Sequence, residues 1–165
     1  MFRYKRYLAT LVIAAGLSSG LAEIAVPIVK AIGPMPAQEL SVADEQLFKA
    51  AWDGNLESVQ SALAHGAEVN AVNGDNWTPL HSAAYNGHVE VAKLLIQRRA
   101  NLNTAASYLK RTPLHYAAEN GHRKAAMILL TNGADMTARD ADNRSPSDWA
   151  RISAHHSHTP DIYLS

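Results

Sequence analysis

The stretch Thr78-Pro-Leu-His-Ser-Ala-Ala-Tyr-Asn-Gly-His88 returns 34 positions later as Thr112-Pro-Leu-His-Tyr-Ala-Ala-Glu-Asn-Gly-His122. A repeat at that distance restricts the fold severely. Each copy is one supersecondary unit, too small to bury its own apolar stripe, so only stacked neighbours can make a continuous core. Two weaker copies flank the pair: Leu47-Phe-Lys-Ala-Ala-Trp-Asp-Gly54, 33 residues before its counterpart, and Ser145-Pro-Ser-Asp-Trp-Ala150, 33 after. Within a copy, Thr78 is placed to cap a helix with its hydroxyl. Pro79 sits at the first helical position, where the missing amide costs nothing. Leu80, Ala83 and Ala84 fall on one helical face, and Gly87 supplies a tight turn. Val89, Val91, Ala92, Leu94, Leu95 and Ile96 then form the stripe of a second helix. In the third copy, Leu114, Ala117 and Ala118 are followed by Ala125, Ala126, Ile128, Leu129 and Leu130 at the same spacing.

TPLHxAA followed by NGH at a period of 33 to 34 residues resembles the ankyrin repeat, and the resemblance covers roughly Ser41 to Ser165. It implies an all-α fold, an α-solenoid of about four repeats with short β-hairpin fingers. The repeats are expected at about 41–73, 74–106, 107–139 and 140–165. The first, lacking Thr-Pro and starting from Ser41 or Asp44, reads as an N-terminal cap whose Glu45, Gln46 and Lys49 face water. The fourth keeps Trp149 and Ala150 and then loses the pattern, with His155, His156 and His158 where the turn glycine would be. It reads as a C-terminal cap with a stunted or missing second helix. Two local irregularities stand out. Arg98-Arg99 replaces the helix-terminating glycine of Asn132-Gly133, which costs stability if the backbone there is left-handed. Eight residues separate Asn103 from Thr112, against seven between Asn70 and Thr78 and between Thr137 and Ser145, so the second finger should have a distorted tip.

Residues 1–40 do not fit the repeat. Arg3, Lys5 and Arg6 form a basic head, Leu8 to Ala22 is uncharged and mostly apolar, and Gly20-Leu21-Ala22 offers a cleavage site before Glu23. The expected organisation is a signal peptide over 1–22, a linker over 23–40 and the repeat domain over 41–165. Export to the periplasm or beyond follows from that reading. An uncleaved membrane anchor over residues 8–32 is the alternative, because a second apolar run, Ile24 to Ile32, follows, although Glu23 would fall within the span. A third reading is a helical extension that stays in the cytoplasm.

The 165 residues hold 15 basic and 15 acidic side chains, so no basic footprint points to nucleic acid. Cysteine is absent, which excludes disulfides, thiolate metal sites and a thiol nucleophile. No Walker loop, GxSxG, HExxH or dinucleotide fingerprint occurs, no cofactor is implied, and an enzyme is not expected. The expected partner is a protein, met by a monomeric module. The alternatives are a secreted effector that binds a host protein, and a metal-handling protein using His155, His156 and His158.

Ankyrin-repeat proteins typically meet partners with the hairpin tips and the exposed side of each first helix, along the concave face. Carried over by position, the contact residues are Trp77, Arg111 and Arg144 just before the caps. After the alanine pairs come Trp52 and Asp53, Tyr85 and Asn86, and Glu119 and Asn120, while Tyr108 sits in the irregular finger. Trp, Tyr and Arg are the residue types most often found as interface hot spots. Trp149 is assigned to packing. By the same resemblance His81 and His115 are structural, bonding between neighbouring loops, and His88 and His122 recur because the repeat does. Asn76-Trp77-Thr78 and Asn143-Arg144-Ser145 match a glycosylation acceptor pattern, but each hydroxyl residue is also a helix cap followed by proline.

Overall fold

A computed structural model describes residues 40–156, all within the unit Gln38–Ser165. The basic head, the apolar runs, the proposed cleavage position and residues 157–165 lie outside the described residues. Seven helices are present among the described residues: α1 Val42–Asp53, α2 Leu56–Ala64, α3 Pro79–Tyr85, α4 Val89–Gln97, α5 Pro113–Glu119, α6 Arg123–Thr131 and α7 Pro146–His156. None of them is long and apolar enough to cross a membrane.

The helices form two layers. The first helices of successive repeats pack in the order α1, α3, α5, α7, and the second helices α2, α4 and α6 pack in the same order behind them. Leu47, Leu80 and Leu114 from the first layer meet Val59, Val91, Leu95 and Leu129 from the second in one continuous buried cluster. The paired alanines Ala50 and Ala51, Ala83 and Ala84, and Ala117 and Ala118 are all buried. Their single methyl groups keep the first helices close enough to stack.

Caps set where each helix begins. Ser41 and Asp44 form a reciprocal capping box, and the Asp44 carboxylate also accepts the Glu68 amide at 2.7 Å, tying α1 to the loop that follows α2. The first helix therefore starts before the point where the later repeats begin and runs for 12 residues. In α3 the box uses histidine: the Thr78 amide donates to His81 Nδ1 at 3.1 Å, and the His81 amide donates to Thr78 Oγ1 at 3.3 Å. Ser145 and Asp148 repeat the box at α7.

Glycine at the turn between helices is required twice over. Gly87 has φ +71°, and a Cβ built on it would lie 2.6 Å from Nδ1 of His122 in the next repeat. Gly54 stands in the same relation to His88. That histidine donates from Nε2 to the Trp52 carbonyl at 2.8 Å, and His122 does likewise to the Tyr85 carbonyl at 2.9 Å. One such bond fastens the second repeat to the first and another the third to the second, and only a residue without a side chain leaves room for it.

One sequence expectation changes. The fingers are not β-hairpins: no strand occurs among the described residues, because each neck is closed by one backbone bond, too little for a ladder. Asn73 N–H donates to the Trp77 carbonyl, Ala106 to Arg111 and Asp140 to Arg144. The extra residue of the second finger sits inside that closure, which spans Ala106 to Arg111, and it lifts Tyr108 to 89% exposure. In the fourth repeat the first helix continues past Ala150, where the repeat pattern fades. Ser153-Ala154-His155 stands where its neighbours turn on glycine, and with no glycine to turn on, α7 runs to His156. A second helix for that repeat would fall outside the described residues. At Arg99 the suspected strain is present: its φ is +66°, in the left-handed region occupied by Gly66 and Gly133 at the equivalent positions.

Candidate functional site

On the side of the first helices that faces the fingers, aromatic rings run from repeat to repeat. Trp52 of α1 stacks on Tyr85 of α3 with centroids 5.4 Å apart and planes 18° from parallel. Trp77, from the first finger, meets Tyr85 edge-on at 6.1 Å and Tyr116 of α5 at 4.7 Å, while Tyr85 and Tyr116 are 5.9 Å apart. Beyond Tyr116 the row continues through guanidinium groups: Arg111 lies 4.0 Å over the Trp149 ring, and Arg144 lies 4.9 Å over it. The row therefore touches all four repeats. Its N-terminal end is open, with Trp52 48% and Tyr85 36% exposed. Its middle is closed. Trp77 is half-buried, with its indole N–H donated to Ser82 Oγ at 2.9 Å, and Tyr116 is buried. Burial pushes the Tyr116 phenol up, against the lowering effect of Arg111.

Arg111, expected at the surface as a partner contact, is instead buried, with 7% of its surface exposed. The reason lies in three groups that converge on it. Glu119 accepts Nη1 at 2.8 Å, Asp140 accepts Nε at 3.3 Å, and the Trp149 ring covers the guanidinium plane. Asp140 is itself fully engaged. It accepts the Asp142 and Arg144 amides, both at 2.9 Å, and the Trp149 indole N–H at 2.8 Å. Burial works against its charge, but those donors together hold its carboxyl below the usual carboxylate range. Glu119, also expected at the surface, has its carboxylate committed to Arg111.

The remaining residues divide by position. Asp53 is exposed and pairs with Lys49 at 2.6 Å. Asn86 donates to the Trp52 and Ser82 carbonyls at 3.2 and 3.3 Å, and Asn120 donates to the Tyr116 carbonyl at 3.0 Å, so both amides serve the helix turns. Arg144 is exposed and reaches Asp142 at 3.5 Å. Tyr108 stands exposed on the second finger. Sequence reasoning missed Tyr116. It occupies the variable position of TPLHxAA, where the preceding repeat has Ser82, and the same position carries Trp149 in the fourth repeat. Trp149 packs, as expected, yet it packs between two arginines at the end of the aromatic row.

His81 and His115 support this face from behind. His81 Nδ1 accepts the Thr78 amide, so Nε2 carries the proton and donates to the Arg111 carbonyl at 3.1 Å; His115 does the same to the Arg144 carbonyl at 3.1 Å. Burial lowers the His81 pKa to about 4, and burial also lowers that of His115. Neutral imidazoles thus hold the second and third fingers to the helix of the preceding repeat. Asn76 of the acceptor pattern is likewise occupied, donating to the Ala105 carbonyl at 2.7 Å.

Among the described residues, no group of three or more His, Asp or Glu side chains is placed to hold a metal. The side chains of His155, His156 and His158 lie outside the described residues. A cleft of about 460 Å³ opens beside the aromatic row, bounded by Phe48, Lys49 and Trp52 of α1, Asn73, Asp75 and Trp77 of the first finger, and Ser82.

A family model described as ankyrin repeats (3 copies) matches residues 47–140. Among curated proteins, the chain is 44% identical over 61 residues to alpha-latrocrustotoxin-Lt1a of Latrodectus tredecimguttatus, covering 36% of this chain and 4% of the toxin. It is 42% identical over 60 residues to the Arf-GAP with coiled-coil, ANK repeat and PH domain-containing protein 2 of Rattus norvegicus, covering 35% of this chain and 8% of that protein. It is 40% identical over 52 residues to the Notch-regulated ankyrin repeat-containing protein of Xenopus tropicalis, covering 32% of this chain and 46% of that one. The matched part is thus less than half the length of each relative.

Proposed function

Since this chain belongs to the ankyrin-repeat family, whose members serve as protein–protein interaction modules, we propose that it is an exported adaptor that captures one protein partner on the face carrying Trp52 and Tyr85. One observation carries the reading: two large aromatic rings stacked at 5.4 Å remain 48% and 36% exposed at the open end of an otherwise closed row. A stacked pair is rigid, so little side-chain entropy is lost when a partner covers it, and such anchors dominate interface energies. The rest of the row serves as its support. Trp77, Tyr116 and Arg111 fix the position of Tyr85 and take no large share of contact themselves.

The test changes Trp52 and Tyr85 together to Ala. Capture of partners from the exporting compartment should be lost, while helical content and melting temperature stay close to those of the parent, since neither ring is buried. Capture that survives the double change would refute the assignment of this face. Export is examined separately by intact mass: a soluble species beginning at Glu23 supports the adaptor reading. A full-length species held in membranes would move the partner search to that membrane.

A further inference from the structure

The cleft beside Trp52 is lined by the same side-chain types, an indole and a finger carboxylate, that hold Arg111 at the other end of the row. There, the Arg111 guanidinium lies 4.0 Å over the Trp149 ring while a finger carboxylate, Asp140, takes its Nε at 3.3 Å. In the cleft, Trp52 offers a ring that is 48% exposed, and the first finger contributes Trp77 and Asp75. The Asp75 carboxylate has no ion-pair partner among the described residues. Lys49 also borders the cleft and pairs with Asp53 at 2.6 Å across the exposed face of α1. The Asp75 carboxylate thus stands in a cleft bordered by indole rings, a setting that favours a cation with a flat, weakly hydrated head.

We propose that the cleft of Lys49, Trp52, Asp75, Trp77 and Ser82 receives an arginine side chain of the partner polypeptide, its guanidinium against the indoles and paired with Asp75. The inference rests on the reading that this face binds a protein, and it adds the chemistry that selects one. Arginine suits the cleft better than lysine, because the planar guanidinium can cover a ring and pair with a carboxylate at once, as Arg111 does. An apolar side chain in the same place would leave the Asp75 charge without a partner.

The experiment is a selection of random twelve-residue displayed peptides on the full chain, followed by titration of the enriched peptides against parent, Trp52→Ala and Asp75→Asn. Both replaced residues are exposed, and thermal melts check that the variants remain folded. The expected result is enrichment of one fixed arginine, binding lost in Trp52→Ala, and about tenfold weaker binding when that arginine is changed to citrulline, which keeps the shape and removes the charge. In Asp75→Asn the arginine and citrulline peptides should become much closer in affinity. Enriched peptides that need Trp52 but carry no arginine, or that bind equally with citrulline, would overturn the arginine assignment and leave the interface standing. Enriched peptides indifferent to Trp52→Ala, or no enrichment at all, would overturn both.

Discussion

Acid should loosen this protein well above the pH at which its carboxylates protonate, and the cause is the pair of buried imidazoles. His81 titrates at about 4 in the folded chain against 6.5 in the unfolded one, because burial penalises its charged form. Between those values the unfolded chain binds more protons than the folded one, so stability is complete above pH 6.5 and falls as pH drops toward 4. Two and a half units of difference correspond to about 3 kcal/mol in full, and roughly 2 kcal/mol of that is lost between pH 7 and pH 4.5. His115, shifted in the same direction, adds to the loss. The paired carboxylates blur the window little. Asp44, Asp140 and Asp148 are all held below 3.8, so the stability they supply begins to fall at about pH 5 and is lost mostly below 3.8. For a domain of this size, with a urea slope near 1 to 2 kcal/mol per M, the midpoint should drop by about 1 to 2 M on passing from pH 7 to pH 4.5. Urea unfolding followed by circular dichroism measures it, with His81→Gln as the comparison. That variant should be weaker at pH 7 yet lose clearly less between the two pH values. An equal loss in parent and variant would refute the reasoning, since the titrating group would then lie elsewhere.

Arg111→Met should destabilise by about 3 kcal/mol, because Asp140 and Glu119 lose the cation between them while Asp140 stays buried; chemical denaturation gives the figure directly. If the loss is below about 0.5 kcal/mol, the network is not the keystone its geometry suggests. Arg99→Gly should stabilise by roughly 1 kcal/mol, visible as a higher melting temperature, since Arg99 is exposed and its backbone is left-handed with φ +66°.

Much of this architecture is local and therefore visible in the chain before it folds. Thr-Pro marks where α3 and α5 begin, Gly87 and Gly121 mark where the chain turns, and the alanine pairs mark where first helices must approach. The strain at Arg99 is likewise a matter of which residue stands at a position whose backbone conformation the repeat dictates. Helix caps, turns and apolar stripes act over four residues or fewer, so residue type and spacing carry them. The surface was harder to read. Arg111 and Trp77 occupy the same place in successive repeats, as the residue before the cap, and both were expected to face a partner. What decides their burial is a group some 30 or more residues away: Asp140 and Trp149 close over Arg111, and Tyr116 closes over Trp77. A long side chain goes wherever the next repeat offers charge or a ring, and that offer exists only after stacking. The register of the repeats was written in the sequence; which of its aromatic and basic residues were spent on holding the repeats together, leaving Trp52 and Tyr85 exposed, was settled by tertiary contact alone.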